Sequence, residues 1–218
     1  MPLATIIGVG PKIGYAVAQK FAEARFDLAL ASRGEEKLQY YKRILESENC
    51  VSVTVIPLDV TKRKKAREAL QEVVRETDVL VYNTFFGGKS GPFDHKIIRE
   101  SLETGILGAV NTVPLFLEEM AAKSYGKVFF TGGGFAEQPH PQYVGIGIDK
   151  AAVRNYALVL AAEYQPQGVH VGTLTINGKV EEGGILNPEM VAEAFFDMYS
   201  QEIGDWEHER QIGAPYLL

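Results

Sequence analysis

Short apolar runs rich in β-branched residues recur along this chain, each followed by a segment of helical period. This alternation constrains the fold more than any other feature. LATIIG (3–8), DLALAS (27–32), VSVTVIPLD (51–59), DVLVYN (78–83), KVFFTG (127–132) and VHVGTLTI (169–176) read as strands. Between them, YAVAQKFAEA (15–24) repeats apolar residues at helical spacing, 35–48 reads as a polar helix, and 62–74 reads as a helix that Thr61 caps. Further helices are expected through about Lys123, from about Gly147 to Tyr164, and near 189–201, with a short C-terminal segment QIGAPYLL after them. Pro114 should kink or break the first of these three, because it lacks an N–H and its ring crowds the preceding turn. Strands that alternate with helices are joined by crossovers, which give a parallel sheet covered on both faces. No repeat, low-complexity tract or linker interrupts the 218 residues, so the expectation is one doubly wound α/β domain spanning 1–218.

Charge and cysteine usage exclude several functions. The net charge is −6, and the only basic cluster, Lys62 to Lys65, reads as a solvated helix face, so nucleic acid is not an expected partner. Cys50 stands alone, which leaves neither a disulfide framework nor a zinc cluster to build, and no metal site is expected. No apolar stretch approaches the roughly 20 residues of a membrane helix, so no membrane is expected as a partner. Met1-Pro2-Leu3 runs straight into an apolar strand without room for a signal peptide. The expected location is the cytoplasm.

The stretch IIGVGPKIGYAVAQKF (6–21) places Gly8, Gly10 and Gly14 between the first strand and the first helix. Glycine there permits a tight turn and close backbone approach to a pyrophosphate seated on the helix N-terminus, the signature of a Rossmann sheet. The spacing is not the two-gap dinucleotide fingerprint. It resembles the longer loop of the short-chain dehydrogenase/reductase (SDR) family, Gly-x-x-x-Gly-x-Gly, with Gly8 and Gly14 as its first and last glycines and Lys12 in place of the middle one. Lys12 also offers a cation beside phosphates. The second strand ends at Ser32 and Arg33, with no carboxylate at its tip to grip a ribose 2′-hydroxyl; Glu35 lies two residues beyond. Arginine there suits a 2′-phosphate, so NADP(H) is the preferred cofactor, with NAD(H) as the alternative.

The resemblance covers nearly the whole chain. LDV (58–60) is similar to the family's adenine-contacting Asp-Val, VLVYNTF (79–85) to its Asn-Asn-Ala-Gly segment with Asn83 as the second Asn, and LEEM (117–120) followed by YGKVFFTGG (125–133) to its helix–strand junction. GVHVGTLTINGKV (168–180) resembles the late strand beside the nicotinamide, with Asn177-Gly178 where the family has Pro-Gly. The resemblance implies that Gly8, Gly10, Lys12, Ile13, Gly14, Ser32, Arg33, Asp59, Val60, Asn83, Lys150, Gly178 and Val180 hold the dinucleotide. It also implies a homodimer or homotetramer paired through helices 103–123 and 147–164.

The family reduces carbonyls with Ser, Tyr, Lys and Asn, the tyrosine giving the proton as hydride arrives. Mapped onto this chain, only Lys150 survives, in YVGIGIDKAAVRNYA (143–157). The tyrosine position is Ile146, the serine position Gly133 and the asparagine position Gly105; Asn111 stands six residues beyond Gly105 and is no evident substitute. Tyr143, seven residues before Lys150, shares its face if the helix starts early, and His140 lies in the same loop with an imidazole that can carry a proton. These two are the candidate replacement acids. Thr131 points the same way as Gly133 from the strand, and Gly132-Gly133-Gly134 could offer backbone N–H groups to an oxyanion. Beside each stands a plain reading: a packed loop aromatic, a solvated loop residue, a core-strand residue and a flexible turn. Two accounts stay open, an oxidoreductase with an unusual proton donor and a cofactor-binding protein without catalysis that senses redox state or serves as an interaction module. A non-redox enzyme using the same crevice is a third. The substrate is an unassigned small molecule or none, and the short segment EEGGILNPEM (181–190) should leave the crevice open.

Overall fold

The computed structural model describes residues 1–214; the end of the C-terminal segment, 215–218, lies outside the described residues. The elements run β1 (Leu3–Ile7), α1 (Ile13–Glu23), β2 (Asp27–Ser32), α2 (Glu35–Asn49), β3 (Val53–Pro57), α3 (Arg63–Val74), β4 (Thr77–Tyr82), α4 (His95–Thr104) and α5 (Ile106–Lys123). After these come β5 (Gly126–Thr131), α6 (Val144–Tyr164), β6 (Val169–Asn177), α7 (Pro188–Ser200) and β7 (Glu209–Gly213). All seven strands pair in parallel in the order β3-β2-β1-β4-β5-β6-β7, the single Rossmann sheet expected. The chain works outward from β1 to β3, then returns to β4 on the other side of β1. That reversal opens a crevice at the carboxyl ends of β1 and β4, where ligands of such sheets bind.

The period of two along each strand divides the core in two. Ile6, Val79, Val81 and Phe129 face one way and pack with Val17 and Phe21 of α1 and Phe195 and Met198 of α7. Ile7, Leu80, Val128 and Phe130 face the other way, against Leu70 of α3, Phe116 and Leu117 of α5 and Val153 and Leu160 of α6. Every residue of β6 is buried, as a central strand of a covered parallel sheet requires. Each large core side chain contributes about 1.5–3 kcal/mol on burial. Among the described residues, no helix is long and apolar enough to cross a membrane.

Three local expectations change. Thr61 does not cap α3; its hydroxyl and its N–H both bond Asp59 Oδ1, at 2.8 and 3.0 Å, closing a turn at the end of the preceding loop. The helical region before β5 does break, but at Gly105 rather than at Pro114, which lies inside a continuous α5 flanked by the buried Val113, Phe116 and Leu117. Packing on both sides of the proline outweighs its local preference. The helix expected from Gly147 begins at Val144, because the buried Ser90 in the loop after β4 caps it from outside: Ser90 Oγ accepts from Gly145 N at 2.9 Å and its carbonyl from Val144 N at 3.2 Å. The segment 181–190 folds into a turn of its own, with Gly184 N bonded to Glu181 O and Glu181 N to Leu186 O, and its last three residues already belong to α7.

Candidate functional site

A cavity of about 650 Å³ lies at the switch point, lined by the turn after β1 and the carboxyl ends of β2, β4, β5 and β6. Every residue that the sequence assigned to a dinucleotide lines it, from Gly8 through Arg33 and Asp59 to Val180.

The three glycines of the first turn act differently. Gly8 sits at φ +96, and a Cβ there would stand 2.6 Å from the Asn83 carbonyl, so both conformation and space demand glycine. A Cβ on Gly14 would come within 2.8 Å of Gly8 O and Val9 Cα, so Gly14 lets α1 approach the turn. A Cβ on Gly10 would meet nothing within 4 Å, and glycine here leaves room beside the first turn of α1, whose opening N–H groups lack intrahelical partners. This is a cradle that fits a diphosphate. Lys12, the residue before α1, reaches across the mouth and donates to Val180 O at 3.1 Å.

Asn83 locks the turn to the rest of the site. Its Nδ2 donates to Gly8 O at 2.9 Å, and its Oδ1 accepts from the Thr131 hydroxyl at 2.9 Å. At the far end of the cavity, exposed Arg33 and half-buried Ser32 stand beside Asp59. Partial burial alone would raise the Asp59 carboxyl, but the two Thr61 bonds, with Lys62 and Arg33 nearby, outweigh it and hold it below its ordinary range. An adjoining hollow of about 370 Å³ is lined by Arg33, Asp59, Lys62 and Lys65. Lys62 and Lys65, which composition alone assigns to a solvated face, therefore join Arg33 in a corner of three cations.

The chemical end has less to offer. Lys150 is buried to 7 % exposure, donates from Nζ to Thr131 O at 2.7 Å, and lies 6.0 Å from the centroid of the Phe85 ring. Burial pushes its pKa down, opposed by the charge of Asp149. One turn earlier on α6, Ile146 presents a hydrocarbon to the cavity. Gly133 adds no hydroxyl, although a Cβ there would make only ordinary contact, 3.4 Å from Lys150 Cγ. Gly132 N is already bonded to Leu174 O, and the Thr131 hydroxyl is committed to Asn83. Asn111 points away from the lysine and donates to Val60 O at 2.9 Å.

Tyr143 and His140 do not line the cavity. Tyr143 immediately precedes α6 and lies nearly flat on Phe135, with centroids 5.0 Å apart and planes 13° apart, and His140 packs beside it at a tilt. Two residues at this end escaped the sequence reading. Phe85 lines the cavity over the lysine, signalled only by the aromatic pair in a glycine-rich loop. Asp149 is 1 % exposed, and its signal was available: it is the one acidic residue between Glu137 and Glu163, set in an apolar helix.

Comparison with known proteins agrees with this architecture. Hydroxysteroid dehydrogenase-like protein 1 of Gallus gallus is 26% identical over 182 residues, covering 79% of this chain and 54% of that protein. The human protein named inactive hydroxysteroid dehydrogenase-like protein 1 is 25% identical over 180 residues, covering 78% and 54%. The chain thus spans about half the length of these curated relatives. A solved alcohol dehydrogenase from the archaeon Thermococcus sibiricus, complexed with 5-hydroxy-NADP, superimposes with a TM-score of 0.89 at 24% identity over 100% of both chains. A family model described as short chain dehydrogenase matches residues 2–180, most of the chain, and with that match the protein belongs to the short-chain dehydrogenase family.

Proposed function

We propose that this protein binds NADP(H) in preference to NAD(H) and lacks the family's ordinary carbonyl reduction, so that its output is redox sensing or partner binding rather than turnover. The observation that carries this reading is the contrast inside one cavity: a glycine turn open beside the first amides of α1 at one end, and at the other the buried Lys150 one turn from Ile146. The amides opening α1 would hold the diphosphate, and Asp59 and Val60 the adenosine end. Arg33, with Lys62 and Lys65 around the adjoining hollow, would hold a 2′-phosphate, and Lys150 the ribose next to the nicotinamide. A bound nicotinamide supplies hydride chemistry. Reducing a carbonyl also needs a proton for the oxygen, and the side chain of Ile146 has none to give at any pH. The relative named inactive, and the neighbour of the same fold solved with an NADP derivative, support the two halves of the reading.

A rival account keeps turnover and draws the proton from Tyr143 or His140. In its favour, α6 starts at Val144, so Tyr143 stands at the head of the helix that carries Ile146 and Lys150. The two accounts part in one experiment. Titration of NADPH and NADH fluorescence should show saturable binding that is tighter for NADPH, while a panel of aldehydes and ketones should leave bound NADPH unoxidised. Steady oxidation would favour the rival, and equal dissociation constants would remove the NADP preference.

Assembly is proposed with the same reading. Leu107 and Val110 on α5 and Ile148 and Val159 on α6 remain 44–54% exposed. A second copy laid against these faces would cover them, giving a homodimer or a homotetramer. A single-chain mass by light scattering at micromolar concentration would refute it. A cytoplasmic setting is part of the proposal, in keeping with an exposed and unpaired Cys50.

A further inference from the structure

Helices α4 and α5 meet at Gly105, and the space above that glycine is already filled from another helix. A Cβ added to Gly105 would stand 2.0 Å from both carboxylate oxygens of Asp149 and 2.2 Å from its Cγ. No side chain at 105 can coexist with Asp149 in this pose. Asp149 Oδ1 accepts from Ile106 N, the first amide of α5, at 2.8 Å, and Gly105 has no side chain to cap that helix. A carboxylate at a helix N-terminus is well placed electrostatically. Its Oδ2 is buried with no hydrogen-bond partner among the described residues, a costly arrangement unless a cation is near. Lys150, the next residue, supplies the opposing charge, although the two side chains form no ion pair within 4 Å and Lys150 Nζ is bonded to Thr131 O instead.

We propose that Asp149 is a positioning residue that does from α6 what residue 105 cannot: it caps α5 at the break and supplies the counter-charge that keeps Lys150 cationic in the cleft. The second half rests on the reading that the cleft binds NADP(H) partly through Lys150.

The surroundings of the pair leave Asp149 as its main charged control. Against Lys150 stand the Thr131 carbonyl of β5, the Phe85 ring of the loop after β4 and the backbone of Gly133. Lys12 and Lys179 line the same cavity at its rim, and Arg33 and Asp59 lie at its far end. Against Asp149 stand Ile106 N of α5 and, from β4, Tyr82, whose hydroxyl donates to the carbonyls of Thr104 and Gly105 and is pushed far up by burial, so it stays neutral. Burial drives Asp149 up and Lys150 down, and each is opposed by the charge of the other. Lys150 loses its charge as pH rises. Removing the Asp149 charge brings that loss to lower pH.

The test is NADPH fluorescence titration across a pH series from near neutral to alkaline, on wild type and Asp149→Asn. Asparagine keeps the shape and an oxygen for Ile106 N but removes the charge. The two proteins should bind alike near neutrality and diverge as pH rises, the variant becoming about tenfold weaker at the alkaline end. Superimposable profiles from two folded proteins would overturn the electrostatic half. Capping has its own readout, independent of cofactor: Gly105→Asn should lower the melting temperature of the wild type sharply but be tolerated in an Asp149→Ser background. Equal losses in both backgrounds would overturn it. If wild type is folded yet binds no NADPH at any pH, the cofactor reading fails while the exchange at 105 is still decided by the melting temperatures. If Asp149→Asn does not fold, the Asp149→Ser/Gly105→Asn protein takes its place in the pH series, with the same expected divergence and the same overturning result.

Discussion

The two ends of the cavity obey different rules. At the nucleotide end the main requirements are a matter of backbone: Gly8 must adopt a positive φ and Gly14 must let α1 approach, with the Asn83 side chain tying the turn to the end of β4. At the chemical end the requirements of carbonyl reduction are individual side-chain atoms, and Ile146, Gly133 and Gly105 carry no hydroxyl or amide side chain to supply them. A backbone cradle is part of how the sheet folds, so it survives as long as the fold does. A hydroxyl contributes little to folding and can disappear without disturbing a strand. On the function proposed above, the difference teaches that a chain can keep a cofactor site for structural reasons without the side chains of the family's chemistry.

The largest effect should come from restoring the missing atoms. Ile146→Tyr with Gly133→Ser should take carbonyl reduction from undetectable to at least about a hundredfold above background, since acid catalysis and an oxygen-holding donor each contribute on the order of 10²-fold or more. Gly133 has room for the new side chain, and Lys150 is already beside it. Adding Gly105→Asn should help only with Asp149→Ser in the same protein; alone it should lower activity through misfolding. Steady-state NADPH oxidation with a small ketone measures all of these, and an inactive but folded and NADPH-binding pair would show that the chemical end lacks more than two side chains.

Damage to the cradle should come next. Gly14→Ala places a methyl group 2.8 Å from Gly8 O and Val9 Cα. A close clash in a packed region costs about 1–3 kcal/mol, so NADPH affinity should fall roughly tenfold or more, together with the melting temperature. Calorimetric titration and thermal denaturation read both. Unchanged affinity would mean that the cradle does not hold the cofactor.

A smaller effect is expected at the adenosine end. Arg33→Ala should weaken NADPH by about five- to tenfold and NADH hardly at all, because a charge-assisted contact to phosphate is worth about 1–2 kcal/mol when exposed. Parallel losses for both dinucleotides would assign Arg33 to general affinity rather than to choice. Smallest of all, Tyr143→Phe and His140→Ala should each change NADPH affinity by less than about twofold, as expected for substitutions outside the cavity. A large loss of any turnover on Tyr143→Phe would revive the rival account.

The sequence disclosed these ends unequally. Apolar runs marked six strands within a few residues, because strands of a covered parallel sheet are mostly buried and cannot hide their composition. The glycine turn and Arg33 were legible for the same reason, since local spacing determines local shape. Breaks and caps were not. Ser90 starts α6 from a loop more than fifty residues earlier, and Asp149 fills the place of a side chain at 105, 44 positions before it. Contacts across such distances leave no periodic trace. Likewise Pro114 reads as a break until the packing around α5 is seen, and Lys62 and Lys65 read as surface until β3 and β2 bring them beside Arg33.

One measurement bears most directly on the central claim that the cofactor site persists without the proton donor. Wild-type protein saturated with NADPH, its binding confirmed by fluorescence in the same sample, is mixed with a broad panel of aldehydes and ketones, and absorbance of the reduced nicotinamide is followed to several turnovers. The account predicts saturable binding and no oxidation above the protein-free rate, with the Ile146→Tyr/Gly133→Ser protein oxidising NADPH under identical conditions. Wild-type turnover matching that of the restored protein, or a folded wild type that fails to bind NADPH, would contradict it.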